Sequence, residues 1–173
     1  MQNLRTIATR QLNLSLSLAL MCSLILSACG FQLRGAANLP FQKLYIQGGG
    51  ISISRDLKQS LETNGIQVLD SPEGAELLLE VQGENYEKRI LSLSGTGVVR
   101  EFELFYRVSF RTREPANPIW STVQTVQQRR DFSYNDSALL GKAEEEAMLN
   151  SDMRKDAVRE VLRRLSAIKL TAK

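Results

Sequence analysis

A chain of 173 residues, 43% hydrophobic and 24% charged, is long enough for one ordinary core and is neither disordered nor fibrous in composition. Its formal charge of +3 drops by two if Arg5 and Arg10 leave with an N-terminal leader, so it lacks the large basic excess of a nucleic-acid binder. There is no histidine, which excludes His-based triads, His proton shuttles and nearly all zinc sites.

The N-terminus has the three parts of an export signal. Arg5 and Arg10 precede a Leu-rich apolar stretch from Leu12 to Leu26. At about 15 residues it is shorter than the roughly 20 needed to span a bilayer as a helix. Leu26-Ser27-Ala28-Cys29 then reads as a bacterial lipobox. Small Ser27 and Ala28 suit a peptidase at the cut. Cys29 supplies a thiol for a thioether-linked diacylglycerol and a new α-amino group for further acylation, as by palmitate. Two or three chains anchor stably where one binds only marginally. Cleavage before Cys29 removes Cys22 and leaves one cysteine, so no internal disulfide can form. Gly30, not Asp, follows the cysteine, which under the aspartate retention rule favours the outer membrane. The expected organisation is a signal at 1–28, a lipidated tether at 29–40 and a single domain at 41–170.

Lys43 to Gln47 has strand character and ends at Gly48-Gly49-Gly50. Ser52 or Ser54 can cap a following helix, with Ile53, Leu57 and Leu61 as its apolar stripe and Asn64-Gly65 as its stop. Ile66 to Leu69 allows a brief strand. After the turn at Asp70–Gly74, Glu76 to Leu93 reads as a long strand with an irregularity at Gly83. Ser94–Gly97 reverses the chain. Val98 to Thr112 alternates cleanly, with Phe102, Leu104, Tyr106, Val108 and Phe110 on one face and mostly charged residues on the other, Phe105 excepted. Glu114–Pro118 turns the chain, and Ile119 to Tyr134 resumes as a strand. From Ser137 to Ile168 the pattern is helical, striped by Met153, Ala157, Val161, Leu165 and Ile168. Asn150-Ser151-Asp152 can break it into two helices. The expected fold is an α+β two-layer sandwich. Two or three helices cover one face of a mainly antiparallel four-stranded sheet.

Cys29-Gly30-Phe31-Gln32-Leu33-Arg34-Gly35, followed by Leu39-Pro40, resembles the start of mature LptE-family proteins, the lipopolysaccharide-assembly lipoproteins of the outer membrane. The likeness extends to the element order and to a Lys early in the final helical segment. It implies a non-enzymatic, lipid-anchored protein on the periplasmic face of the outer membrane. Such a protein would plug the LptD β-barrel, assist its assembly and help deliver lipopolysaccharide to the outer leaflet. Its partners would be that barrel, lipid A and the membrane, with no cofactor, no metal and no nucleic acid. Lys142 matches a family position implied to bind lipopolysaccharide. The Ser94–Gly97 turn lacks the basic residue that some relatives carry there, and Arg89 and Arg100, which flank it, are the substitutes. Arg forks onto phosphate while Lys acts as a point charge. Arg107, Arg111 and Arg113 align along one strand face, a row better suited to solvation or barrel contact than to a ligand. The competing readings are a scaffold of another envelope complex and a lipid-anchored cell-wall hydrolase. The hydrolase has little support: Glu144-Glu145-Glu146 reads as a solvated helix face, and Ser92 and Ser94 lack a histidine base.

Overall fold

The computed structural model describes residues 39–48, 50–135 and 139–170; Cys29, the signal and all of the tether before Leu39 lie outside them. The elements are β1 Lys43–Gln47, α1 Ser52–Thr63, β2 Gln67–Leu69, β3 Leu77–Leu93, β4 Val99–Arg113, β5 Gln124–Ser133 and α2 Leu139–Ser166. The strands form one sheet in the order β2-β1-β3-β4-β5. β1 runs parallel to both β2 and β3, whereas β3, β4 and β5 form an antiparallel meander.

The two-layer α+β architecture is as expected, but the sheet has five strands and is mixed. The fifth strand is the brief one allowed at Ile66 to Leu69; it spans Gln67–Leu69, three residues, too short to show alternation. It is parallel because the chain leaves β1, crosses over through α1 and returns in the same direction. β5 begins at Gln124 and not at Ile119, since residues before it are held as a loop. Ser121 N–H donates to the Thr112 carbonyl (2.8 Å) and Ser121 Oγ accepts from Thr112 N–H (3.0 Å).

Ile53, Leu57 and Leu61 bury the predicted stripe of α1. Neither serine caps it. The N-cap position is Ile51, with no side-chain cap bond. Ser54 Oγ instead donates to the Gly48 carbonyl (3.0 Å), and Ser52 Oγ donates to Glu84 at 2.7 Å. Ile53 N–H also points at Glu84 (3.3 Å), so a carboxylate from β3 supplies the negative charge that a helix N-terminus favours. α2 is one helix. Asn150, Ser151 and Asp152 lie inside it without breaking it, because fully buried Met153, Ala157, Val161 and Leu165 continue one packed stripe.

The core fills the space between this stripe, α1 and the inner sheet face. Leu44, Leu77, Leu79, Val81, Leu104, Tyr106, Val108, Phe110 and Val126 are all essentially buried there. The irregularity expected at Gly83 is a register shift between Val81 and Gly83 that adds one residue to β3. Close by, Gly48 has φ +98°, and a Cβ there would lie 2.6 Å from the Val81 carbonyl oxygen. Gly48→Ala should therefore destabilise the domain by about 2 kcal/mol or more. Gly74→Ala, at φ +80° but facing open space, should cost less. Urea unfolding of the two variants checks the order.

Candidate functional site

Beyond the Gly83 shift, β3 and β4 continue as a long hairpin whose two faces differ. Glu84, Tyr86, Lys88 and Ile90 pair with Val108, Tyr106, Leu104 and Phe102 and share the helix-covered face. Asn85, Glu87 and Arg89 pair with Arg107, Phe105 and Glu103 on the face without helices.

On the helix side, Lys88 Nζ lies 4.2 Å from the Phe102 ring centroid, 5.3 Å from that of Phe132 and 5.9 Å from that of Tyr134. Its ammonium pairs with Glu146 of α2 at 2.5 Å. Lys142, one turn earlier on α2, donates to Glu145 (2.7 Å) and to Ser133 Oγ at the end of β5 (3.3 Å). Lys88 and Lys142 are thus each held by a carboxylate from the first turns of α2. Arg100 lies at the same end of the sheet. Its carbonyl accepts from Tyr134 N–H at 2.7 Å, and its side chain is exposed at the register irregularity between Ser92 and Leu93. Ile90, Leu91, Leu93 and Val98 are exposed around the hairpin tip, as are Leu140 and Met148 on α2. The result is a patch holding Arg100 and two lysines paired with carboxylates, next to exposed apolar side chains.

Arg89 does not join this patch. It lies on the open face, paired with Glu87 at 2.5 Å and with its guanidinium 5.0 Å from the Phe105 ring centroid. The reason is period-two geometry: Lys88 faces the helices, so its neighbour must face away. Lys88 is the residue that sequence reasoning missed. The signal was present, since Tyr86, Lys88 and Ile90 alternate in step after Gly83.

The open face is a lattice of paired charges. Arg107 pairs with Glu87 (2.7 Å), Arg111 with Glu80, and Arg129 with Glu103 (2.6 Å). Phe105, the exception in the alternation, is only 8% exposed because the guanidinium groups of Arg89 and Arg107 flank its ring. Arg111 and Arg113 similarly approach Trp120, at 4.7 and 5.2 Å. The row of arginines is thus largely neutralised by the sheet itself. Arg130, by contrast, faces inward and ties β5 to Asp156 of α2.

The pairs at Glu80 and Glu87 hold those two carboxyl groups below the usual range. Hydrogen bonding from Arg111 lowers Glu80, and bonds from Arg89 and then Arg107 lower Glu87. A depressed carboxyl adds stability above its ordinary value, near 4.3, and that stability is lost as pH falls through the lower folded value. Urea midpoints should hold steady from pH 7 to about 5 and drop below about 4. High salt should narrow the difference, because exposed pairs are screened.

Among the described residues no helix is long and apolar enough to cross a membrane, and no group of three or more His, Cys, Asp or Glu side chains is placed to hold a metal. A cleft of about 390 Å³ between α1 and β1–β2 is lined by Tyr45, Ser54, Arg55 and Lys58, and Asp70 pairs loosely with Lys58 (3.7 Å).

Residues 41–165 match the family model described as LptE, lipopolysaccharide-assembly. The chain belongs to the LptE family. The match covers every element of the domain, from β1 to the last turn of α2. Within this family, an LPS-assembly lipoprotein LptE from Yersinia enterocolitica is 28% identical over 150 residues, covering 84% of this chain and 72% of that protein. The solution structure of an uncharacterized lipoprotein B from Nitrosomonas europaea superimposes with a TM-score of 0.70 at 41% identity, covering 80% of this chain and 91% of the other. The rare lipoprotein B of Shewanella oneidensis shares the fold, with a TM-score of 0.65 at 24% identity over 72% of this chain and 94% of that one. The LptE fold is thus common to chains that retain only about a quarter of their residues.

Proposed function

We propose that this chain is a non-enzymatic, lipid-anchored component of lipopolysaccharide assembly, seated in the LptD β-barrel at the periplasmic face of the outer membrane. Acyl chains on Cys29 would hold it there, and residues 29–40 would tether the domain. Family membership over residues 41–165 supports the assembly role, and the Yersinia relative carries that role in its name. The observation that carries the ligand reading is the patch where Lys142, with exposed Arg100 nearby, meets the apolar rim of the hairpin tip and α2. Lipid A pairs phosphates with acyl chains, so a patch that offers basic side chains beside an apolar border suits it. The open face suits a hydrated, polar wall, since Arg107, Arg111 and Arg129 are tied to carboxylates across the strands of the sheet.

The test is purification of the full tagged chain from gentle detergent extracts. A large β-barrel protein and lipopolysaccharide are expected to accompany it. Lys142→Glu should reduce the lipopolysaccharide while leaving the barrel bound. Recovery of the chain without a barrel would overturn the plug reading and favour a scaffold of another envelope complex. Lipopolysaccharide retained in full by Lys142→Glu would overturn the assignment of the patch.

A further inference from the structure

We propose that Lys88 is a further phosphate-binding residue of this patch, and that Glu146, together with Glu145, competes with the ligand for its cations. The inference rests on the lipid A reading above and deepens it.

Both ammonium groups at the start of α2 are engaged by carboxylates of that same helix. Glu146 holds Lys88 at 2.5 Å and Glu145 holds Lys142 at 2.7 Å. None of the four side chains is deeply buried, so a ligand in solvent can reach each pair. A phosphate monoester carries more charge than a carboxylate and presents three acceptor oxygens. It can therefore displace the carboxylate and keep both lysines satisfied. Lys88 is set up for such an exchange. The rings of Phe102, Phe132 and Tyr134 hold its ammonium by attraction to their faces, so it stays in place when Glu146 leaves. The first turns of α2 are the part of the helix best able to yield, for residues 140–148 are mostly exposed whereas Met153 onward is buried along one stripe. The internal carboxylates lower the affinity for phosphate, since part of the gain from binding it replaces an ion pair already present. A moderate affinity suits a component that must release what it holds.

The test uses the full chain purified in detergent and vesicles of phosphatidylcholine doped with bisphosphorylated lipid A, dephosphorylated lipid A or neither. Glu146→Gln should tighten binding to the bisphosphorylated form several-fold and leave binding to the dephosphorylated form unchanged. Lys88→Gln should weaken it by about tenfold, the scale of one lost bond to a charged group. Lys88→Arg keeps the charge and the ring contact and should bind within about twofold of the parent, which separates charge from packing. Competition by inorganic phosphate would show that phosphate chemistry alone suffices, and absence of competition that the lipid-borne phosphate is required; either result supports the inference only if the Glu146 and Lys88 effects appear. Thermal melts by circular dichroism confirm that each variant is folded. Equal binding by the parent, Glu146→Gln and Lys88→Gln, with Lys142→Gln still weakened, would overturn this inference and leave the patch assignment standing. A parent chain that captures no lipid A would overturn both.

Discussion

Tyr106→Ala should lower the unfolding free energy by roughly 3–5 kcal/mol, and Tyr106→Phe by about 1–2 kcal/mol. Tyr106 is fully buried at the centre of β4, its ring centroid 4.6 Å from that of Tyr86 across the strand pair. Its hydroxyl donates to Glu84 at 3.0 Å. That carboxylate also receives Ser52 Oγ and Ile53 N–H from α1, so one side chain links the sheet to the start of a helix that lacks its own cap. Burial and the adjacent Glu84 charge push the Tyr106 hydroxyl well above its ordinary range, so it remains a donor at any working pH. Alanine would open a ring-sized cavity and strip Glu84 of a partner; phenylalanine would remove only the partner. Against a total stability of about 5–15 kcal/mol, the first change threatens folding and the second does not. Urea unfolding followed by circular dichroism distinguishes them. Equal losses in the two variants would mean that the hydroxyl bond, and not the packing, dominates.

Cys29→Ser should abolish acylation and, with it, stable membrane retention of the chain separated from its partners. A serine hydroxyl cannot form the thioether. Each buried methylene of an acyl chain contributes about 0.8 kcal/mol, so losing two or three chains removes far more than the surface of a small domain can replace. Mass spectrometry of the N-terminal peptide and detergent-phase partition should show a diacylated or triacylated Cys29 in the parent and neither in the variant. A parent peptide still carrying residues 1–28 without fatty acid would remove the basis for the anchor. The fold itself should be unaffected, because the core between α1, α2 and the sheet is built among the described residues from Leu39 and Phe41 onward.

Much of the fold was legible because it rests on periodicity. The alternation from Phe102 to Phe110 named the inner face of β4, and the stripe from Met153 to Leu165 named the buried side of α2. Gly83 marked its register shift, since a residue without a side chain tolerates the disrupted ladder. Ser52 and Ser54 stand where a cap is expected from the sequence, yet neither caps α1. Their partners, Glu84 and the Gly48 carbonyl, are chosen by the packing of α1 on the sheet. The apparent break at Asn150–Asp152 failed for the same reason: the buried stripe that continues past it outweighs a weak local preference.

The sequence by itself determined the periods, the turns, the apolar stripes and the motif around Cys29, because these depend on residue type and spacing along one chain. Only the tertiary structure decided which charges meet. It put Lys88 with Glu146, 58 residues away, and sent Arg89 to the opposite face with Glu87. It paired Arg107 and Arg111 of β4 with Glu87 and Glu80 of β3, and it set Lys142 of α2 against Glu145 and the end of β5. The physical reason is that an ion pair acts over a few ångströms of space and is indifferent to sequence distance, so the register of the strands and the seat of the helix select it.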